Sequence, residues 1–223
     1  MKRNANLTRR EFIQVVSTAG GGLALGFYLP AKNAAATESA AAFAPNVWLK
    51  IDTAGLVTIT VARSELGQGV RTALPMIVAE ELEANWEDVR LEFALAHPDK
   101  YGDMTTGGST SVRGSWEVLR KAGATARAML ITAAAQKWNV PRETCRAFNG
   151  EVRHEPSGRR FAFGKLVEAA AKLPVPADAP LKDAKDFRYL GKSLPRLDVP
   201  DKVFGRAIFG IDVKLPNMLY ATV

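Results

Sequence analysis

Apolar residues recur along this chain with two different periods, and the changes of period mark out its elements. Val47-Trp48-Leu49-Lys50-Ile51 reads as a strand, and Leu56–Val61, alternating and rich in β-branched residues, reads as the strand returning from it. Asp52-Thr53-Ala54-Gly55 between them has turn chemistry. From Arg71 to Glu83 the period becomes helical, with Leu74, Ile77, Val78 and Leu82 in step. Pro75 falls in the first turns, where a missing donor is better tolerated. Val89–Leu95 alternates again, and residues 97–111 have no period. An Ala-rich helix is predicted from Ser115 to Trp138, with Val118, Leu119, Ala122, Ala126, Met129, Leu130 and Ala133 on one face. Asn139-Val140-Pro141 ends it. Three short strands follow, Cys145–Phe148, Val152–His154 and Arg160–Phe163, with Asn149-Gly150 and Ser157-Gly158 as their turns. A short helix is predicted over Lys165–Lys172. Leu173–Leu194, with Pro174, Pro176, Pro180 and many charges, reads as an extended connector. Residues 199–223 resume a partly strand-like pattern that ends in the apolar run Leu219–Val223; such a strand needs a partner.

The first residues have a different logic. Lys2, Arg3, Arg9 and Arg10 precede an apolar stretch from about Val15 to Leu29, and Ala34-Ala35-Ala36 then fits an A-x-A cleavage site. Thr8-Arg9-Arg10-Glu11-Phe12-Ile13 has the paired arginines and following apolar residues of a twin-arginine export address. The apolar stretch is short and interrupted by Gly20, Gly21, Gly22 and Gly26, which argues against a membrane span of about 20 apolar residues. The expected organisation is a leader at 1–36, an Ala-rich tether at 37–46, a unit at 47–172, a connector at 173–198 and a further element from 199 to 223. The expected destination is the periplasm, reached folded; an uncleaved leader would tie the protein to the membrane.

The leader changes how charge is read. The chain has a formal charge of +7, of which Lys2, Arg3, Arg9, Arg10 and Lys32 against Glu11 carry +4, leaving about +3 for the rest. A basic nucleic-acid surface is not implied. Cys145 is the one cysteine, so the chain has no internal disulfide and no iron–sulfur or Cys-rich zinc site. His97 and His154 lie far apart without ligand spacing and are expected at surface or turn positions, so no metal ligands are assigned.

Two loops could carry chemistry. Gly67-Gln68-Gly69 lies between a strand and a helix, where glycines let backbone amides approach a ligand and a helix start offers free N–H groups. Thr105–Ser111 also precedes a helix and combines Gly107 and Gly108 with hydroxyl side chains, suited to wrapping a phosphate. Both could converge on one phosphorylated cofactor; loops of this composition are also ordinary caps and turns. Arg71 and Arg113 each adjoin a loop within reach of a phosphate, although a solvated face is the plainer expectation for both. Glu80, Glu81 and Glu83 are expected on a solvated helix face. There is no Walker motif, no G-x-G-x-x-G and no legible Ser-His-Asp or Cys-His set.

Several strings in order resemble the molybdenum-binding large subunit of the xanthine dehydrogenase/aldehyde oxidase family. The resemblance is to its periplasmic branch, similar to isoquinoline 1-oxidoreductase β subunits and related aldehyde dehydrogenases. The strings are the twin-arginine leader, Ser64-Glu65-Leu66-Gly67-Gln68-Gly69-Val70 with Ala79-Glu80-Glu81-Leu82, Thr106–Trp116, and Asp198–Val213. The resemblance implies an α+β fold: β-hairpins with packed helices forming part of a molybdopterin-binding domain over 47–172, then the start of an α/β hammerhead domain near Val199. It implies a molybdopterin cofactor in its cytosine dinucleotide form, contacted by Gly67, Gln68, Gly69, Thr106, Gly107, Gly108, Ser109, Thr110 and Ser111. It implies hydroxylation of an aldehyde or electron-poor N-heterocycle with oxygen from water. Electrons would leave through a [2Fe–2S] small subunit and, in some relatives, a cytochrome c subunit. The leader then gains a reason, since a cofactor inserted in the cytoplasm requires export of a folded protein.

Family large subunits are several times longer than 223 residues. The family's general-base glutamate belongs to a C-terminal motif that this chain lacks, so no catalytic residue is assigned here. The expectation is a segment inactive alone, acting with the remainder of the large subunit. The competing expectation is a non-catalytic exported binding or assembly module, or a decayed gene. The substrate is not legible in this portion.

Overall fold

The computed structural model describes residues 13–17, 22–27, 47–97 and 104–221. The paired arginines, the A-x-A site and the 37–46 tether lie outside the described residues. Two sheets and two long helices form the body. The first sheet has the order β1-β2-β3-β4-β5: β1 (Ile13–Ser17), β2 (Gly22–Phe27), β3 (Val47–Asp52), β4 (Val57–Val61) and β5 (Val89–Phe93).

The β3–β4 hairpin forms as its alternation predicts. Leu49 faces Ile59 and Ile51 faces Val57 across the ladder, all of them buried. Asp52 closes the turn, its Oδ1 accepting from the Ala54 and Leu56 amides at 2.9 Å each. β4 then leads through the 62–69 loop into helix α1 (Val70–Leu82), and the chain returns as β5, parallel to β4. At the other edge β2 pairs antiparallel with β3 from Gly22 opposite Asp52 to Phe27 opposite Val47. β1 and β2 fall within the span expected as a leader, and β2 pairs along the edge of β3.

Thr110–Arg113 is a single helical turn, α2, before the long α3 (Trp116–Trp138). α3 crosses α1 at Gly123, where a Cβ would lie 2.5 Å from the Val78 carbonyl oxygen and 2.8 Å from Glu81 Cβ. The second sheet joins β6 (Cys145–Phe148), β7 (Glu151–His154) and β8 (Arg159–Ala162) in an antiparallel meander. Its inner face, with Cys145 and Val152, joins the core beside α3. A 3-10 turn at Phe163–Lys165 and the short α4 (Val167–Ala170) replace the longer helix expected over 165–172. His154 is buried rather than at the surface: its Nδ1 sits 2.6 Å from Ser157 Oγ, fixing the β7–β8 turn, and its ring borders Trp138.

Three further expectations are corrected. Glu80 and Glu81, expected in solvent, are 1% and 0% exposed, because segment 180–190 lies across α1, and α3 brings arginines to Glu81. Glu81 pairs with Arg120 and Arg127 and accepts from the Lys182 amide. Glu80 pairs with Lys182 and accepts from the Arg188, Tyr189 and Leu190 amides; burial alone would raise its carboxyl, but these donors outweigh that and hold it low. Glu83 is half-buried and paired with Lys182 and Arg188. The supposed connector is therefore a strap, with Tyr189 buried and its hydroxyl donating to the Ala84 carbonyl at 2.7 Å. Residues 199–221 form helix α5 (Val199–Val203) and a 3-10 turn at Gly210–Asp212 instead of strands. Pro200 starts the helix, and the apolar residues beyond it, such as Ile211 and Leu219, are exposed, with no strand paired to them among the described residues.

Candidate functional site

The loop before α1 is organised by one carboxylate. Glu65 accepts from the Gly67 and Gly69 amides at 2.8 Å each and from the Arg71 amide at 2.9 Å. Gly67 (φ 106°) and Gly69 (φ 87°) hold the left-handed conformations that aim these amides inward. Burial by itself would raise the Glu65 carboxyl; the three amides and the Arg196 charge more than offset this and keep it below the usual range. The helix-start donors expected to face a ligand are thus satisfied by the loop's own anion. Gln68 is likewise engaged within the loop, its Oε1 accepting from the Leu66 amide at 2.5 Å and its Nε2 donating to the Ser64 carbonyl at 2.9 Å. A bound group would meet the outer surface of this loop, or would have to displace Glu65.

The second loop joins the first directly. The Thr106 hydroxyl donates to the Ser64 carbonyl at 3.0 Å, and Arg63 donates to the Thr105 carbonyl at 2.6 Å. Thr110 closes its own turn onto the Gly107 carbonyl at 2.8 Å, and Arg113 donates to the Gly108 carbonyl at 3.3 Å. Ser109 is held at φ 56° beside Gly108, while Ser111, within α2, is buried. A Cβ at Gly67, Gly107 or Gly108 would meet no atom within 4 Å. These glycines face open space, unlike Gly123, which is small because a helix presses on it.

A third segment, which sequence reasoning missed, completes the site. Arg196 donates to the Gly67 carbonyl at 3.0 Å, reaches Glu65 at 3.4 Å and forks onto Asp198 at 3.0 and 2.8 Å. Lys202 Nζ adds a 2.6 Å bond to Asp198. The Arg196 fork, joined by Lys202, holds the Asp198 carboxyl far below its ordinary value. The one local signal was the Asp198/Lys202 spacing of a helical ion pair; the contact of Arg196 with Glu65 spans 131 residues and leaves no local trace.

Between the first loop and the third segment lies a cavity of about 950 Å³, with Ser64, Glu65, Gly67 and Arg71 on one wall and Asp198, Asp201, Lys202 and Arg206 on the other; the 105–111 loop does not line it. Arg71 is more constrained than a surface residue: its guanidinium sits 4.4 Å from the Phe93 ring centre, and its Nε is buried without a hydrogen-bond partner. A buried donor without an acceptor is costly, and here it borders a cavity whose other wall carries Lys202 and Arg206, paired with Asp198 and Asp201. The lining is mixed in charge, with Glu65, Asp198 and Asp201 beside Arg71, Lys202 and Arg206, so the spare Arg71 Nε and the open Gly67 are its features left for an anionic ligand such as a phosphate-bearing cofactor. Among the described residues there is no group of three or more His, Cys, Asp or Glu side chains placed to hold a metal ion directly.

With an α+β architecture and two glycine loops in direct contact, the motif order can be set against known proteins. The chain belongs to the molybdopterin cofactor-binding domain family, whose model matches residues 2–211. Within it the chain is of the xanthine dehydrogenase/aldehyde oxidase type, related to molybdenum hydroxylase large subunits. It is 37% identical to the isoquinoline 1-oxidoreductase subunit beta of Brevundimonas diminuta, over 97% of this chain and 33% of that one. It is 35% identical to the membrane-bound aldehyde dehydrogenase (pyrroloquinoline-quinone) of Gluconacetobacter polyoxogenes, over 98% of this chain and 29% of that one. Quinoline 2-oxidoreductase from Pseudomonas putida 86 aligns over 59% of this chain and 17% of its own, with TM-score 0.45 and 25% identity. The chain spans about a third of the length of the first two relatives.

Proposed function

We propose that this chain forms part of the cofactor cradle of a molybdenum hydroxylase that oxidises an aldehyde or an N-heterocycle with water as oxygen donor, and that it is inactive without the remainder of the large subunit. The observation that carries the reading is the direct joining of the Gly67-Gln68-Gly69 and Thr106–Ser111 loops, the first of which borders a cavity that Arg71, with its buried, unpartnered Nε, also lines. Molybdopterin, in its cytosine dinucleotide form, would supply the two-electron redox chemistry when bound. The residues of this chain would bind and orient it. Arg71, Lys202 and Arg206 would take negative charge, Gly67, Gly107 and Gly108 would give close backbone approach, and the Thr106, Ser109 and Thr110 hydroxyls would add hydrogen bonds. Gln68 and Glu65 would act one step back, holding the first loop in shape. Electrons would pass to a [2Fe–2S] small subunit and, where one is present, a cytochrome c subunit. The leader would export the loaded protein folded to the periplasm. Among the described residues no helix is long and apolar enough to cross a membrane.

The experiment is cofactor analysis of the complete assembly, purified with this chain in wild-type form and as Gln68→Ala and Arg71→Gln. Molybdenum and released cytidine monophosphate should both be present and should both fall in each variant. Unchanged content in both variants would remove these loops from the site, and a complete assembly without molybdenum would overturn the reading.

A further inference from the structure

The outer face of the second sheet has a charge arrangement that the cofactor reading does not use. In the β6-β7-β8 register, Arg146 lies directly opposite Arg153, and Arg153 directly opposite Arg160. Residues paired across a ladder share a face, so three arginines stand abreast, separated strand to strand by about 4.8 Å. Cys145, Val152 and His154 are the buried positions of these strands, so the arginine row lies on the opposite, outer face. Like charges directly opposite weaken strand pairing. Among the paired positions of this face the one acid, Glu151, pairs with Arg153 at 3.3 Å, while Arg146 also borders a cavity lined by Glu83, Glu143 and Asp186. Arg146 and Arg160 make no ion pair among the described residues.

An exposed aromatic side chain stands beside the row. Phe148 is 43% exposed, with the Arg153 guanidinium 4.9 Å and the Arg188 guanidinium 4.4 Å from its ring centre. Arg188 is itself anchored, to Glu83 at 2.8 Å and to Asn149 at 3.0 Å, so the aromatic and its flanking cation are held in place before any partner arrives. Arginine and aromatic side chains in a preformed cluster are the residues that dominate protein–protein contacts. A membrane surface fits less well, because membrane-binding faces combine lysines with several apolar residues. The paired positions of this face carry Phe148 as their single large apolar side chain and no lysine.

We propose that the outer face of the β6–β8 sheet docks an acidic segment of a partner polypeptide, whose carboxylates pair with Arg146, Arg153 and Arg160 while an apolar group covers Phe148. Each guanidinium can fork onto one carboxylate, so the row would read acids presented at about strand spacing. The arrangement weakens the isolated sheet and is relieved when the partner binds.

The test uses the full chain and a fluorescein-labelled octaglutamate peptide, with binding followed by anisotropy at low salt. Arg146→Glu/Arg160→Glu should weaken binding at least tenfold, while the charge-matched control Lys192→Glu/Lys214→Glu, at exposed positions elsewhere, should change it less than threefold. The arginine variant should melt at the same or a higher temperature than wild type, because it removes like-charge pairs. Equal weakening by both variants would reduce the effect to net charge and overturn the proposal. A lower melting temperature for the arginine variant would also overturn it, by making the row structural. Flotation with phosphatidylglycerol vesicles that depends on Arg146 and Arg160, without peptide binding, would assign the face to a membrane instead.

Discussion

Glu80→Ala should be among the most damaging single substitutions in this chain, and its size follows from what the carboxylate holds. Glu80 is 1% exposed, and its oxygens accept from the Lys182 ammonium and from three consecutive backbone amides, those of Arg188, Tyr189 and Leu190. Alanine would leave an ammonium and three amides facing an apolar void. One unsatisfied buried donor costs about 1–3 kcal/mol, so four would sum to about 4–12 kcal/mol, on the order of the whole stability of a domain. The strap over 180–190 can peel away and rehydrate its donors, which caps the loss at the cost of releasing it. Breaking a buried ion pair from one side costs about 3–5 kcal/mol, and that is the expected loss. Glu80→Gln keeps one acceptor oxygen and the volume, and should lose about 2–3 kcal/mol, the value of hydrogen bonds to a charged group. Urea unfolding followed by Trp fluorescence is the assay, since Trp86 lies 5.9 Å from Tyr189 and reports on the strap. A loss below about 1 kcal/mol for Glu80→Ala would refute the view that the strap is held by these charges.

The pH dependence has a defined sign. The folded-state pKa of Glu80 lies below its ordinary 4.5, so its stabilisation is fully present at neutral pH and is lost as pH falls below 4.5. Wild type should therefore lose more stability than Glu80→Gln between pH 5 and 3 in the same urea titration. Gly123→Leu should cost about 1–3 kcal/mol or more by overpacking, because even a Cβ meets the Val78 carbonyl at 2.5 Å; a melt followed by circular dichroism measures it. Glu65→Ala should free the Gly67, Gly69 and Arg71 amides, seen as faster hydrogen exchange and earlier proteolysis at exposed Leu66, with the core amides of α3 unchanged.

Much of the fold could be read where the signal is local. The β3–β4 hairpin, the span of α3 and the β6–β8 meander follow from alternation, helical period and the Asp52–Gly55 and Asn149-Gly150 turns. What escaped was set by distant partners. Glu80 and Glu81 look solvent-facing because the residues that neutralise them lie 39 to 110 positions away. The proline-bearing stretch from 173 suggests a loose connector until its backbone amides are seen to end on those carboxylates. At the candidate site, both loops were legible as glycine-rich segments before helices. That Glu65 fills the first loop's amides, and that Arg196 reaches it, depends on tertiary placement that local composition does not encode.

The central claim is that this chain contributes two loops to the cradle of a molybdenum cofactor shared with the rest of a larger subunit. Elemental and nucleotide analysis tests it most directly, on this chain purified alone and purified together with the remainder of its assembly. The complete assembly should contain molybdenum and cytidine monophosphate in equal amounts, and the chain alone should contain neither. A complete, folded assembly that contains neither would contradict the account.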